Sequence, residues 1–165
     1  MPVESLFPRL EPLLPTVSKP IQYVGGELNS VVKDWDSCDV RWAIMYPDAY
    51  EVGLPNQGVM ILYEVLNEQP GVLAERAYAV WPDLAEKMRA HGIPQFTVDG
   101  HRPVRAFDVF GLSFSTELGY TNMLEALDLA GRLQINQPIA QQRLERAAGP
   151  RERHPGRRQV ARQLH

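Results

Sequence analysis

The chain has 165 residues, 44% of them hydrophobic and 22% charged, which is the composition of an ordinary globular protein and the length of one domain. No apolar run approaches the roughly 20 residues that a membrane-spanning helix needs. The N-terminus has neither the basic start nor the apolar run of a signal peptide. One cysteine, Cys38, excludes an internal disulfide framework and predicts a reducing, cytoplasmic location.

The net charge of −3 conceals two parts of opposite charge. Residues 1–131 contain nine Lys and Arg against eighteen Asp and Glu, whereas residues 132–165 contain eight Arg against two Glu. The second part has no aromatic residue to stack on bases, so nucleic acid is not an expected partner. We predict an irregular N-terminal arm over 1–19, a folded domain over 20–131, and a basic, disordered tail over 132–165.

Strands and helices alternate along the folded part. Apolar runs predict strands near residues 40–46, 74–80, 94–98 and 108–114. This alternation is typical of an α/β fold with a doubly wound parallel sheet and helices on both faces. Open sheets of this kind usually have five or more strands, so we expect the sheet to be incomplete at its C-terminal edge, where the basic tail begins.

Three helices connect the predicted strands. The first runs from about 56 to 67, with Asn56 as its N-cap. Its predicted apolar face consists of Val59, Leu62, Val65 and Leu66. The second begins at Pro82, because proline suits the first turn of a helix, and ends at Gly92. The third is capped by Ser115 or Thr116 and extends to Ala130.

A candidate ligand-binding edge follows from this order of elements. Pro47 ends the first strand, and a polar loop over 48–53 leads into the first helix. All parallel strands end at the same edge of a sheet, so the loops after the first and fourth strands should converge there. The candidate binding residues in these two loops are Asp48, Tyr50, Glu51, Gly53, Ser113, Ser115 and Glu117. The alternative interpretation is that the acids cap helices or face solvent, and that Tyr50 simply packs.

Several common functional motifs are absent from the sequence. No Gly-x-Gly-x-x-Gly follows a strand, and neither a Walker loop nor a Gly-x-Ser-x-Gly elbow is present. His91 and His101 have no partner at metal-ligand spacing. We therefore predict no catalytic residue and no metal ligand. A phosphoacceptor receiver domain is a weaker option, because its clustered acids are missing.

Four separated blocks, at residues 21–35, 46–53, 72–83 and 117–124, resemble the N-terminal region of the cobalamin-binding-type radical SAM proteins. The resemblance covers about residues 19–131 and implies a Rossmann-like fold of the flavodoxin or cobalamin-binding type. In that family the N-terminal domain precedes a radical SAM barrel. A Cys-x-x-x-Cys-x-x-Cys motif in the barrel holds a [4Fe–4S] cluster that cleaves S-adenosylmethionine.

This sequence departs from the family in two places. The spacing of Asp48, Tyr50 and Gly53 matches the Asp-x-His-x-x-Gly loop of cobalamin-binding domains, but Tyr50 stands where the cobalt-ligating histidine would be. Any cobalamin should therefore bind weakly, in a base-off form. With one cysteine, the chain cannot carry the cluster motif, and the sequence after Gly131 resembles neither the expected final strand nor the barrel. A truncated or frameshifted gene product is the expected explanation.

The resemblance predicts a cobalamin-binding-like domain of a radical SAM protein that is itself catalytically inactive. Its expected partner is the radical SAM barrel of intact relatives, with no membrane association. The alternative is a flavodoxin-like scaffold or interaction module that holds no cobalamin.

Overall fold

The computed structural model describes residues 3–131, and these form an open parallel sheet with helices on both faces. Its three strands are β1 (Val40–Tyr46), β2 (Val72–Tyr78) and β3 (Val109–Leu112). Their order across the sheet is β2-β1-β3, and β1 pairs in parallel with both neighbours. The predicted α/β class with an incomplete Rossmann-like sheet is confirmed. The predicted tail over 132–165 lies outside the described residues.

The described residues also contain five α-helices and several short 3₁₀ turns. The α-helices are α1 (Phe7–Leu10), α2 (Tyr50–Gly53), α3 (Gln57–Glu68), α4 (Pro82–His91) and α5 (Tyr120–Leu129). None of them is long and apolar enough to cross a membrane.

The alternation of side chains along β1 explains why helices cover both faces of the sheet. Ile44 points to the face where Val59 and Tyr63 of α3 are buried. The neighbouring Ala43 and Met45 point to the opposite face. That face is covered by Ala126 and Ala130 at the C-terminal end of α5, together with Val104 and Phe107.

Local signals placed the start of α3 and the end of α4 correctly, but not the start of α5. The side chain of Asn56 caps α3 by accepting a hydrogen bond from the Val59 N–H at 3.1 Å. Gly92 ends α4 in the left-handed conformation, with φ of 61°. Neither Ser115 nor Thr116 caps α5, because a 3₁₀ turn over Glu117–Gly119 precedes that helix.

The predicted apolar face of α3 is only partly buried. Val59 is fully buried, and Leu66 packs against the same cluster. By contrast, 48% of Leu62 and 49% of Val65 remain exposed. The side of α3 nearest β3 is therefore uncovered within residues 3–131.

The prediction of a strand over 94–98 is wrong. Phe96 forms one isolated antiparallel bridge with Pro103, because this segment folds back on itself. The Thr97 N–H donates to the carbonyl of Arg102 at 3.0 Å, and the Val104 N–H donates to the carbonyl of Gln95 at 3.0 Å. These bonds occupy the groups that a strand would use for ladder pairing. The segment is nevertheless buried, and it lies along the outer edge of β2.

The N-terminal arm packs against the rest of the domain and forms part of a second hydrophobic core. Leu6, Leu10 and Leu14 are buried against Leu84 and Met88 of α4. The arm is fixed to the C-terminal end of α4 by Arg9, which donates to the carbonyls of residues 91 and 92 at 2.8 and 3.2 Å. A cation at this end also complements the helix dipole.

Candidate functional site

The loops after β1 and β3 converge at the carboxyl edge of the sheet. The hydroxyls of Tyr46 and Ser115 are 3.0 Å apart. The Asn122 side chain on α5 donates to the carbonyl of Pro47 at 3.2 Å. In the order β2-β1-β3, the second strand lies on one side of β1 and the third strand lies on the other side. The place between β1 and β3 is therefore a topological switch point, and open α/β sheets bind ligands at such points. We call this place the switch-point crevice.

The switch-point crevice is narrow, with a cavity of about 10 Å³. Its lining consists of Tyr46, Pro47, Asp48, Ser115, Thr116 and Gly119. That volume suits roughly one water molecule. A wider, open hollow of about 200 Å³ lies beside it, between Asp48, Trp81, Pro82 and Asn122. Of these two spaces, the hollow is the one with room for part of a larger ligand.

Among the residues predicted to form the site, Asp48 borders both the switch-point crevice and the open hollow. Its Oδ1 accepts a hydrogen bond from the Ala49 N–H at 2.7 Å, and its carbonyl accepts from the Ala79 N–H at 2.9 Å. The first bond shapes the loop, and the second joins the ends of β1 and β2. The second carboxylate oxygen has no protein donor within residues 3–131, so Asp48 can still accept a bond from a ligand.

Tyr50 is held by neighbours on its own side of the domain. Its hydroxyl donates to Glu27, and its ring packs edge-on against Tyr78 with the centroids 5.5 Å apart. Gly53 lies under the same Tyr78 ring, and a Cβ there would be 2.6 Å from Cε1. Gly53 is therefore required for close packing, and Tyr50 and Gly53 do not line the switch-point crevice.

The other predicted residues also have separate roles. Glu51 forms an ion pair with Lys19 at 2.5 Å, and the Lys19 ammonium lies 4.4 Å from the Trp81 ring centroid. Ser113 continues the pairing of β3, with its N–H donating to the carbonyl of Met45 at 2.8 Å. Glu117 is exposed. Of the seven candidates, the structure brings Asp48 and Ser115 together.

Sequence reasoning missed Tyr46, Trp81 and Asn122, which border the crevice or the hollow. Tyr46 could have been found, because it is the last residue of β1 and directly precedes the loop. Trp81 precedes the N-terminus of α4, another position at the carboxyl edge. Asn122 gave no signal, since it reaches Pro47 from α5 across 75 positions of the sequence.

A buried polar network lies beside β2, away from the crevice. Arg76 and Asp99 form an ion pair of 2.6 Å, with side chains only 6% and 3% exposed. Burial opposes the charge of Arg76, but hydrogen bonds and attraction from Asp99 prevail and raise its pKa. Glu75 is bonded to Thr97 and Arg102, and burial still raises its pKa. These groups are satisfied by one another, which indicates a structural role.

The described residues do not supply the metal ligands of the cofactors that the family resemblance implies. Cys38 is buried and donates to the carbonyl of Asp34 at 3.3 Å, and one thiol cannot supply the three cysteine ligands of a [4Fe–4S] site. Within residues 3–131, no three His, Cys, Asp or Glu side chains cluster as metal ligands. At the position of the cobalt-ligating histidine of a cobalamin-binding loop, Tyr50 has a phenol that is bonded to Glu27.

The sheet order, the converging loops and the helix on each face define a Rossmann-like α/β domain. The family model for radical SAM proteins, N-terminal, matches residues 58–146, more than half of the chain. The chain therefore belongs to this family. The matched region begins within α3, whereas the first of the four blocks that resemble the family begins at residue 21. The matched region also extends past Gly131 into the predicted tail. Searches among curated proteins and among solved structures found no match.

Proposed function

We propose that this chain is a non-catalytic scaffold module of a radical SAM protein. In this proposal a cysteine-bearing barrel holds the [4Fe–4S] cluster and cleaves S-adenosylmethionine, while this domain packs beside it. The family match supports the association with radical SAM proteins. The single cysteine of the chain supports the absence of cluster chemistry here.

The observation that carries the scaffold proposal is the fixed position of Tyr50. Its hydroxyl is bonded to Glu27 and its ring is packed on Tyr78, so residue 50 offers no free ligand group at the position of the histidine in cobalamin-binding loops. Gly53 is buried under Tyr78 and leaves no open space for a corrin ring at that point. The loop over 48–53 therefore has the residue spacing of a cobalamin-binding loop, but Tyr50 and Gly53 pack against other residues of the domain.

Weak, base-off binding of cobalamin is the second candidate function. The convergence of Asp48 and Ser115 at a topological switch point favours it, together with the open hollow beside them. Here Asp48 would accept a hydrogen bond from a polar substituent of the ligand, and the N-terminus of α4 would face the hollow. No protein imidazole would lie below the metal.

Titration with hydroxocobalamin separates the two candidates. We expect no saturable binding by the wild-type chain, and none by Tyr50→His, because Gly53 packs under the Tyr78 ring and leaves no open space for a corrin ring beside residue 50. Circular dichroism of both proteins controls for folding. Saturable binding with a base-off spectrum would favour the second candidate. Tight binding by the wild type with a nitrogen-ligated spectrum would contradict this account of Tyr50.

The proposal also includes a cytoplasmic location, in keeping with one buried free thiol. The barrel of a radical SAM protein is the proposed partner, and neither a membrane nor nucleic acid is. Whether the sequence after Gly131 comes from a shifted reading frame is answered by the genomic DNA downstream. A Cys-x-x-x-Cys-x-x-Cys reading frame there would support an interrupted gene.

A further inference from the structure

The open hollow beside the switch-point crevice has hydrogen-bond acceptors on its walls that no donor of residues 3–131 uses. Its volume is about 200 Å³, and Asp48 and Asn122 both border it. One carboxylate oxygen of Asp48 accepts from the Ala49 N–H, and the other has no donor in the described part of the chain. The side-chain nitrogen of Asn122 donates to the carbonyl of Pro47, which can only accept, so this bond fixes the orientation of the amide. The side-chain oxygen of Asn122 is therefore a second acceptor that is left for a ligand.

The backbone groups around the hollow offer few donors to a ligand. The N–H groups of Ala49 and Ala79 both donate to Asp48, at 2.7 and 2.9 Å. Pro82, the first residue of α4, has no N–H. The next residue, Asp83, places a carboxylate at this helix end and accepts from the N–H of the following residue at 2.7 Å. A carboxylate of the chain itself therefore occupies the N-terminus of α4, which disfavours a phosphate or carboxylate ligand.

The charges near the hollow favour a cation. Lys19 forms an ion pair with Glu51 at 2.5 Å, so these two charges offset each other. Asp48 and Asp83 have no cationic partner among residues 3–131, although the dipole of α4 partly offsets the charge of Asp83. A cation in the hollow would therefore be attracted by negative charge that the described chain does not neutralise.

Trp81 forms an aromatic wall of the hollow. The Lys19 ammonium lies 4.4 Å from the centroid of its ring, which shows that the indole already attracts one cation. The Trp81 side chain is still 37% exposed, so part of its surface is accessible to a ligand. A guanidinium group is planar, stacks on aromatic rings and is more weakly hydrated than an ammonium group. Free acceptors beside an exposed indole therefore favour a guanidinium over an ammonium.

We propose that the open hollow is a binding site for a guanidinium group. The forked N–H donors of this group would bond the free oxygens of Asp48 and Asn122, and its plane would lie against Trp81. The proposal does not rest on the scaffold role or on cobalamin, because it requires neither a barrel nor a metal. The eight arginines of residues 132–165 are one source of such a group, and a separate molecule is the other.

The probe is methylguanidinium, and the chemical shifts of Asp48, Trp81 and Asn122 are followed by NMR. It is titrated into the full-length wild type and into a full-length variant in which all eight arginines of residues 132–165 are changed to glutamine. Saturable shifts at millimolar probe in both proteins would support a site that takes its ligand from a separate molecule. Saturable shifts in the variant alone would support the same site with an arginine of this chain as its occupant.

Two further probes test the chemistry of recognition. Methylurea has nearly the same shape as methylguanidinium but no charge, and we expect no saturable shift with it at the same concentration. Methylammonium has the charge but not the planar fork of donors, and it should bind more weakly than methylguanidinium. These comparisons need no substitution in the hollow, so they do not depend on how a variant folds.

Asp48→Asn tests the contribution of the carboxylate. The substitution removes the charge and retains a side-chain oxygen that can accept from the Ala49 N–H. It should weaken methylguanidinium binding by about tenfold, as expected for loss of a hydrogen bond to a charged group. The matched control is Glu86→Gln, which removes the same charge from an exposed position of α4 that does not border the hollow and should leave the affinity unchanged. Circular dichroism checks that both variants fold.

Four results would overturn the proposal. The first is the absence of saturable shifts with methylguanidinium in both full-length proteins. The second and third are binding of methylurea or of methylammonium that is as tight as binding of methylguanidinium. The fourth is an equal effect of Asp48→Asn and Glu86→Gln, which would mean that the probe responds to the overall charge of the chain and not to the hollow.

Discussion

Removal of Asp99 should destabilise the domain strongly, because it leaves Arg76 charged and buried without a partner. Asp99 accepts hydrogen bonds from the Arg76 backbone N–H at 2.7 Å, from Nη2 at 2.6 Å and from the Ser30 hydroxyl at 2.9 Å. Breaking a buried ion pair by removing one partner typically costs about 3–5 kcal/mol. We therefore expect Asp99→Ala to lower the free energy of unfolding by an amount in that range.

Urea denaturation followed by circular dichroism measures this loss directly. The matched control is Glu125→Ala, which removes a partner of Arg89 from an ion pair of 3.1 Å whose side chains are 45% and 33% exposed. Exposed pairs contribute about 0–1 kcal/mol, so the control should lose less than that. Adding Arg76→Met to Asp99→Ala should recover part of the stability, since the unpaired charge is removed. A loss for Asp99→Ala no larger than that of the control would refute the reasoning.

Three further predictions test other parts of the fold. Gly53→Ala should cost about 1–3 kcal/mol by urea unfolding, because its Cβ would overlap the Tyr78 ring, and an unchanged midpoint would contradict that packing. Burial lowers the pKa of His101, so the free energy of unfolding should fall as pH drops from about 6.5 toward the lower folded-state pKa. The difference between wild type and His101→Asn across that range isolates this effect, and parallel curves would exclude it; Asn tolerates the φ of 51° at this position. Asn56→Ala should cost about 1 kcal/mol through loss of the α3 cap, whereas an increase in stability would contradict the capping bond.

Much of the fold could be predicted from the sequence, because its signals are local. The apolar run of β1, the Asn56 cap and the Gly92 terminator each depend on a few neighbouring residues. The segment 94–98 has the composition of a strand, but the Thr97 N–H and the Gln95 carbonyl bond residues 102 and 104 instead of a neighbouring strand. No local sequence pattern distinguishes a paired strand from a segment that folds back on itself, since both structures bury the same apolar side chains.

The candidate site was predicted only in part for a similar reason. Parallel strands must end at one edge, so the meeting of Asp48 and Ser115 followed from topology alone. The partners of Tyr50 and Glu51 are Glu27 and Lys19, which lie in the N-terminal part of the chain. Such distant pairings are not encoded in the spacing of a motif. The same holds for Lys33, whose ammonium donates to the Val72 carbonyl of β2 at 2.5 Å.

Anaerobic reconstitution with iron and sulfide tests the central claim that this chain is a non-catalytic module. The full chain would be incubated with S-adenosylmethionine and dithionite, with Cys38→Ser as the control for iron held by a lone thiol. We predict no [4Fe–4S] absorption band and no 5′-deoxyadenosine from either protein. One cluster per monomer in the wild type, accompanied by 5′-deoxyadenosine, would contradict the account.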